Sequence, residues 1–397
     1  HFLNIRARNS VLDRLADRRT EVQRLDESVG ARKSLQQISL QVGPEPVADL
    51  KTNAALAGTL LIGGPTDARQ LVFPSINVKT SGTLSYDALS GSYSYTLAST
   101  FPAQAPSPLN NPAQAPRPNP AGTYTAWLYV VETSTVNGAQ VRDVGNFLVD
   151  FRFADATLPL RPRQVITQAA CDSCHVTVQA HGGSRSAATG CSLCHASGAQ
   201  DRTVGAVGAA CVSSSDCRAF EACQDTNNDG KADACVITQA PTPGRTIQFG
   251  AMVHSIHYAR RLEGYAARSS LVNPGKLVYI GFRNSITDLS EILTPVDIRQ
   301  CAKCHADSGA VCSAASPCGV GQSCVGGRCV NRSYQTPSTE ICLSCHDSAA
   351  AAGHAALNTW QTIETCSVCH GPTGDFAVSK VHNVSAPYVP PYPREKD

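Results

Sequence analysis

The chain of 397 residues has one methionine, no cysteine before Cys171 and no long block of one charge. The formal net charge is +2 and the basic residues are dispersed, which excludes nucleic acid as the main partner because nothing could neutralise a run of phosphates. No apolar run approaches the ~20 residues of a membrane-spanning helix, so we expect no transmembrane segment. The chain starts at His1, and we expect an exported protein whose signal peptide has been removed and which has no N-terminal cysteine to carry a lipid.

The cysteines that are present all lie together, and they divide the chain. All 18 fall between Cys171 and Cys369. We therefore predict a multidomain protein: a helical arm over 1–40, a β domain over 41–164 and a cysteine-rich domain over 165–397.

The arm is predicted to hold a helix over residues 10–29. Ser10 and Asp13 resemble a capping box, and Gly30 is a typical helix stop. Apolar residues recur at near-heptad spacing among many charges. We interpret the helix as packing on its own domain; the alternative is docking on a partner subunit.

The second region has the pattern of an all-β domain. The stretch "INVKTSGTLSY" alternates, and "TYTAWLYVVET" is rich in β-branched and aromatic residues. This predicts an antiparallel sandwich or barrel. A proline-rich stretch, 102–120, is predicted to be an extended surface loop.

From residue 165 onward the apolar periodicity is poor, and small residues, cysteine and histidine dominate. So long a segment has too little aliphatic side chain to build a core of its own. We therefore expect a loop-rich, mostly helical or irregular domain in which a large apolar cofactor takes the place of the missing core.

Five Cys-x-x-Cys-His motifs identify that cofactor. The two thiols add across the vinyl groups of a haem, and the adjacent histidine ligates the iron from the same turn. Structural zinc also uses Cys-x-x-Cys but does not need histidine after every second cysteine. The thioether residues are Cys171, Cys174, Cys191, Cys194, Cys301, Cys304, Cys342, Cys345, Cys366 and Cys369, and the proximal ligands are His175, His195, His305, His346 and His370.

The remaining histidines match the need for sixth ligands. Six of the 11 lie outside the motifs, and only His1 is outside the cysteine-rich domain. Methionine as a sixth ligand is almost excluded, since Met252 is the only one. We predict bis-histidine ligation, which favours electron transfer over substrate chemistry. The predicted distal ligands are His181, His254, His257, His354 and His382.

Eight further cysteines form two similar inserts, at 208–238 and 311–331. The spacings are C-x5-C-x5-C-x11-C and C-x5-C-x5-C-x4-C. Each insert is predicted to be stapled by two disulfides, with three pairings open and zinc as the alternative. The residues are Cys211, Cys217, Cys223 and Cys235 in one insert, and Cys312, Cys318, Cys324 and Cys329 in the other.

The first insert also contains "DTNNDGKAD", which resembles the front of an EF-hand-type calcium loop. Val236 stands where a bidentate glutamate is expected at the loop end. The predicted ligands are Asp225, Asn227, Asp229, Lys231 and Asp233; the alternative is a solvated Asx turn.

Several stretches resemble one family, the outer-surface multihaem cytochromes of metal-reducing bacteria (the OmcA/MtrC family). They are "CDSCHVTVQAHGGSR", "MVHSIHY", "ITDLSEILTPVDIRQCAKCH" and "CSVCHGP", preceded by a β region ending in "DFRF". The resemblance covers roughly residues 70–390. It implies an all-β domain followed by a pentahaem domain with the distal histidines named above. This chain departs from the family by having one such unit rather than two, and by its arm and inserts.

These observations lead to one functional prediction and one alternative. We expect extracellular electron transfer through five haems to an external acceptor, to another cytochrome or to copies of the same chain. Such copies could assemble into a haem filament. We also expect the protein to bind calcium in addition to haem. On this prediction the protein is not an enzyme, beyond non-specific reduction of metals or flavins. The alternative is a multihaem reductase of nitrite, hydroxylamine or sulfur oxyanions, which needs one haem with an open site.

Overall fold

Strands come first along the chain and short helices later, in a computed structural model that describes residues 3–9, 22–24, 36–42, 45–46, 49–66, 73–89, 92–98, 119–153, 158–239, 244–262, 277–360 and 363–382. The chain divides into two units. One comprises His1–Cys194 with Cys304–Asn331, and the other His195–Lys303 with Arg332–Asp397.

Up to Phe151, the described part of the first unit contains two sheets. One has the order β2-β1-β3-β8-β7, with β4 beside β3, and the other has the order β10-β9-β5-β6. Every pair is antiparallel apart from β1 and β3, which are parallel. The strands are β1 Leu3–Asn9, β2 Val22–Arg24, β3 Gln36–Val42, β4 Glu45–Pro46, β5 Leu56–Gly63, β6 Ile76–Asn77, β7 Thr83–Asp87, β8 Ser92–Thr96, β9 Tyr124–Val136 and β10 Ala139–Phe151.

The predicted helix over 10–29 is wrong at Val22–Arg24, which form β2 and pair with β1. Pairing with a neighbouring strand overrides the local helical pattern there, as tertiary context often does. The rest of that stretch lies outside the described residues, as does the proline-rich loop except for its last two residues.

One face of β5 and β9 supplies the core of the sandwich. Leu60, Ala126 and Leu128 point inward with Tyr93 of β8 and Phe147 of β10, and all are buried. Because successive side chains alternate between the faces of a strand, the residues between them point outward. Those outward residues include Leu61 and Trp127, which are also buried, so β5 and β9 are covered on both faces.

Past residue 165 the predicted mostly helical or irregular domain is not confirmed as mostly helical, since its described helices are short and alternate with short strands and loops. The longest helix in the described part of the chain, α2, has 10 residues. The helices are α1 Gln168–His175, α2 Phe249–Tyr258, α3 Thr339–Cys342, α4 Ala349–Leu357, α5 Ser367–His370 and α6 Val378–Val381. The strands are β11 Val207–Ala210, β12 Glu221–Gln224, β13 Ala234–Ile237, β14 Val278–Ile280, β15 Ile286–Asp288, β16 Gln322–Val325, β17 Arg328–Asn331, β18 Thr359–Trp360 and β19 Ile363–Glu364.

Candidate functional site

Each of the five Cys-x-x-Cys-His motifs coincides with a helical turn. The first lies at the end of α1, the fourth starts at the last residue of α3, and the fifth starts at the residue that precedes α5. The second and third start in 3-10 turns at Ala188–Leu193 and Cys301–Lys303. Two of these turns begin with a side-chain cap: the Ala170 amide donates to the Thr167 hydroxyl, and the Ile341 amide donates to the Ser338 hydroxyl. Residues three and four apart lie on one side of a helical turn, so both thiols and the histidine of a motif face the same way.

Two pairs of histidines face each other at the separation expected for shared ligation. The ring centres of His346 and His382 lie 6.0 Å apart, and those of His354 and His370 lie 6.2 Å apart. A metal–imidazole bond is about 2 Å, so rings bound on opposite sides of one ion have centres about 6 Å apart. Each pair joins a motif histidine to a histidine predicted as a distal ligand.

Five histidines have one ring nitrogen engaged with a backbone carbonyl. With the proton on Nδ1, each ring donates to that carbonyl and leaves Nε2 available as a ligand, the arrangement typical of metal-binding histidine. The bonds run from His195 to Ile247 O (2.7 Å), His257 to Val253 O (2.8 Å), His305 to Val165 O (3.0 Å), His370 to Phe376 O (3.0 Å) and His382 to Val378 O (3.0 Å).

Helix α2 carries His254 and His257 and is held by two motifs. The Phe249 amide donates to the carbonyl of His195, the histidine of the second motif. The hydroxyl of the buried Ser255 donates to the carbonyl of Ser344, inside the fourth motif, at 2.9 Å. The two α2 histidines are therefore positioned by the segments that hold two different attachment sites.

The loop that carries His181 rests on strand β10. Arg142 donates to the carbonyl of Gly182 at 2.9 Å, and the Asn146 amide donates to the carbonyl of Ser184. His181 has a φ of 54°, a left-handed conformation that few non-glycine residues adopt without surrounding support. The outer side of the β domain therefore supplies the support for this predicted distal ligand.

As free thiols, the motif cysteines influence one another in a definite order. Burial, and after it the charge of Cys171, raises the pKa of Cys191 to about 11. Burial also raises the pKa of Cys171, with the charge of Cys304 as the next cause. Since the interaction of charges weakens with distance, these sulfur atoms lie near one another. In space, the first motif therefore has the second and the third as neighbours.

A second series runs through the later motifs. Burial raises the pKa of Cys345 to about 11, and the charge of Cys301 is among the smaller contributions to that rise. Burial raises the pKa of Cys342, opposed by the Ser338 amide, and the charge of Cys366 adds to the rise. The third, fourth and fifth motifs are neighbours in this series.

Both inserts contain two disulfides with the same topology, first cysteine to third and second to fourth. The bridges are Cys211–Cys223, Cys217–Cys235, Cys312–Cys324 and Cys318–Cys329. The pairing that the spacing left open is thus settled alike in both. Three sulfur atoms of each insert also lie within 4.8 Å of one another, which reflects two adjacent bridges rather than the zinc alternative.

The predicted calcium loop is organised by its own hydrogen bonds. The Asp225 carboxylate accepts from the Asp229 and Gly230 amides, and Asp233 accepts from the amide and hydroxyl of Thr226. Asn227 accepts from the Asp229 amide and Asp229 from the Lys231 amide, each two residues on, which are the bonds of Asx turns, the alternative considered from the sequence. Calcium binding at Asp225, Asn227, Asp229, Lys231 and Asp233 stays a prediction.

Several supporting residues escaped the sequence analysis. Asn331, fully buried, donates to the Val165 carbonyl that also accepts from His305. Gln168 joins the first two motifs, since its side chain accepts from the Ala188 amide and donates to Asp172. Their only available signal was an amide side chain close to a motif in the sequence.

The donor set fits covalent haem. Paired thiols and a histidine lie within five residues in each motif, and in two motifs a second histidine ring lies about 6 Å from the motif histidine, the spacing that a bis-histidine haem requires. Such a site defines a multihaem c-type cytochrome. The family described as "outer membrane cytochrome MtrC/MtrF-like, domains II/IV" matches residues 163–383, more than half of the chain. The chain belongs to this family.

Comparison with solved structures finds the outer membrane decahaem cytochrome OmcA, with a TM-score of 0.45 and 16% sequence identity. The match covers 84% of this chain and 43% of the OmcA chain, so this chain spans less than half of that protein's length. Comparison with curated proteins gives no match. Among the described residues, no helix has the length and apolar character needed to cross a membrane.

Proposed function

We propose that this chain is an extracellular electron-transfer protein with five covalently attached haems, each ligated by two histidines. The proposal rests on two pairs of neighbouring imidazole rings, His346 with His382 and His354 with His370. Each haem, when bound, supplies a one-electron iron couple. With two protein ligands per iron the coordination is complete, which favours passing electrons over binding a substrate.

The protein's contribution is to hold ligands and spacing fixed. Backbone carbonyls orient the imidazoles, as for His370 and Phe376 O, so that redox change requires little rearrangement. Ten cysteines fix the rings to short helical turns. We assign the remaining distal positions to His181, His254 and His257.

The neighbouring thiols suggest which haems are adjacent. Cys191 is coupled to Cys171, and Cys171 to Cys304. Cys345 is coupled to Cys301, and Cys342 to Cys366. We propose that electrons pass between neighbouring haems within each series.

The test is to express the chain with haem attachment machinery, count haems by intact mass, and record the EPR spectrum of the oxidised protein. Five haems, all low-spin, are expected. Fewer than five attached haems overturns the proposed number. A high-spin signal equal to one whole haem favours the alternative, a reductase of nitrite, hydroxylamine or sulfur oxyanions.

The proposed electron-transfer function also suggests where the protein acts and which partners it has. We propose a position at the outer cell surface and electron exchange with other multihaem cytochromes, external acceptors or copies of this chain. If copies of this chain exchange electrons with one another, they could also associate end to end into a filament. Negative-stain microscopy at high concentration tests it, and a field of dispersed single molecules would count against it.

A further inference from the structure

Arg185 lies between the β domain and the second attachment motif. Its guanidinium carbon is 5.2 Å from the centre of the Tyr129 ring, and its Nη2 donates to the Tyr129 hydroxyl at 3.2 Å. Tyr129 belongs to β9, on the face that packs against Trp127 with ring centres 5.9 Å apart. A cation over an aromatic face is held both by the ring and by the hydrogen bond.

The position of this cation is fixed from its backbone as well. The Arg185 amide and carbonyl pair with Ala180 in an isolated bridge that closes the His181 loop. Its Nε is buried and has no hydrogen-bond partner among the residues that the structure describes. A charge so held does not swing into water as a surface arginine does.

The cation lies beside the second motif. Tyr129, whose ring holds the guanidinium, packs against the buried cluster that contains Leu193. Leu193, between the two cysteines, is buried against Leu61 and Trp127. The motif is therefore seated on the sheet with the cation at its side.

We propose that Arg185 is a positioning residue for electron transfer, whose fixed charge raises the reduction potential of the haem attached at Cys191 and Cys194. This inference rests on the proposed function. It makes the outer face of the β domain, through Tyr129, part of the haem's electrostatic environment.

The sign follows from charge. Ferric haem carries one more positive charge than ferrous haem, so a neighbouring cation disfavours the oxidised form. For two unit charges about 10 Å apart in an effective dielectric constant of about 20, the interaction shifts an equilibrium roughly tenfold, and we take this as the size of the expected effect. For a one-electron couple, tenfold corresponds to about 59 mV.

The test is a spectroelectrochemical titration of the holoprotein. In Arg185→Gln, one of the five one-electron components should move to lower potential by about 59 mV, the tenfold change. Arg185→Lys should recover part of that shift because it keeps the charge. Arg328→Gln is the control, since Arg328 is an exposed arginine of the second insert that donates to the Gly309 carbonyl.

Haem count and spin state are recorded first for every variant. Arg185→Gln with five low-spin haems and unchanged potentials overturns the inference and leaves the proposed function standing. Wild-type protein with fewer than five haems contradicts the proposed function instead. Arg185→Met, which keeps the apolar stem over Tyr129, serves if the glutamine variant does not fold. Loss of a haem from both, with Arg185→Lys intact, also overturns the inference, because Arg185 would then serve assembly.

Discussion

The imidazole rings of His354 and His370 lie 6.2 Å apart and almost perpendicular, at 89°. One ring projects from α4 and the other ends α5, where it is bonded to the Phe376 carbonyl. The fifth motif's histidine thus faces a histidine that precedes it in the chain. His346, in the fourth motif, faces the later His382.

Replacing a distal histidine should open one coordination site. In His354→Ala, one haem of the five is expected to become high-spin while four stay low-spin, because the proximal ligand remains. EPR and the ferric charge-transfer absorption measure this. Leu357→Ala, an exposed neighbour on α4, is the control and should stay fully low-spin. A fully low-spin H354A spectrum would disprove the assignment.

The two histidines of α2 should serve different haems. At i, i+3 spacing both project from one side of the helix, so each single alanine variant should give one high-spin haem. The double variant, His254→Ala with His257→Ala, should give two. Quantitative EPR distinguishes these outcomes, and a double variant with only one high-spin haem would show that one of the two is not a ligand.

Gly190 is predicted to tolerate no side chain. A Cβ at this position would stand 2.6 Å from Trp127 Cε3, and both residues are buried. Gly190→Ala should destabilise the protein by about 1–3 kcal/mol through overpacking. Thermal unfolding measures this, with the exposed neighbour Thr189→Ala as the control. Equal midpoints for the two variants would contradict the packing described here.

Removing a disulfide should loosen its insert. Cys217–Cys235 spans 18 positions, so the double serine variant should lose about 3 kcal/mol of stability in the chain-entropy account. Limited proteolysis should cut near the first insert, while the haem spectrum stays unchanged. Val212→Ala, at an exposed site in the same insert, should resist cleavage as the wild type does. Loss of the low-spin spectrum would show that the insert also supports a haem.

Asp150 should make stability depend on pH. Burial raises the pKa of its carboxyl, opposed by the Thr125 hydroxyl, which donates to it at 2.6 Å. A raised folded-state pKa means that this contribution to stability is complete at acidic pH and is lost as pH rises through that pKa. Asp150→Asn should therefore be more stable than wild type at pH 7, because the amide stays neutral there. The difference should vanish near pH 3; a constant difference would implicate packing instead.

Local chemistry was predictable from the sequence, and tertiary partnership was not. Each motif is five consecutive residues whose roles are fixed by covalent chemistry, so Cys171 and His175 could be assigned without a fold. The match of distal histidines to haems depends on segments that are distant in sequence, as His346 and His382 are. Val22–Arg24 pair with β1, which the local sequence does not reveal, so their helical pattern gave the wrong prediction.

The double-sided burial of β9 carried a signal that alternation alone concealed. Ala126, Leu128 and Val130 follow one face, while Trp127 and Tyr129 give the other face an apolar or aromatic character. A strand apolar on both faces is typically covered on both. That pattern could have indicated that another segment, here the second motif, packs against the outer face of the β domain.

Leu193 lies inside an attachment motif and yet completes a cluster with Leu61 and Trp127 of the sheet. A fragment that ended at residue 164 would expose that indole to water. The β domain and the second motif therefore fold together, and the fluorescence of Trp127 reports whether that motif has packed against the sheet.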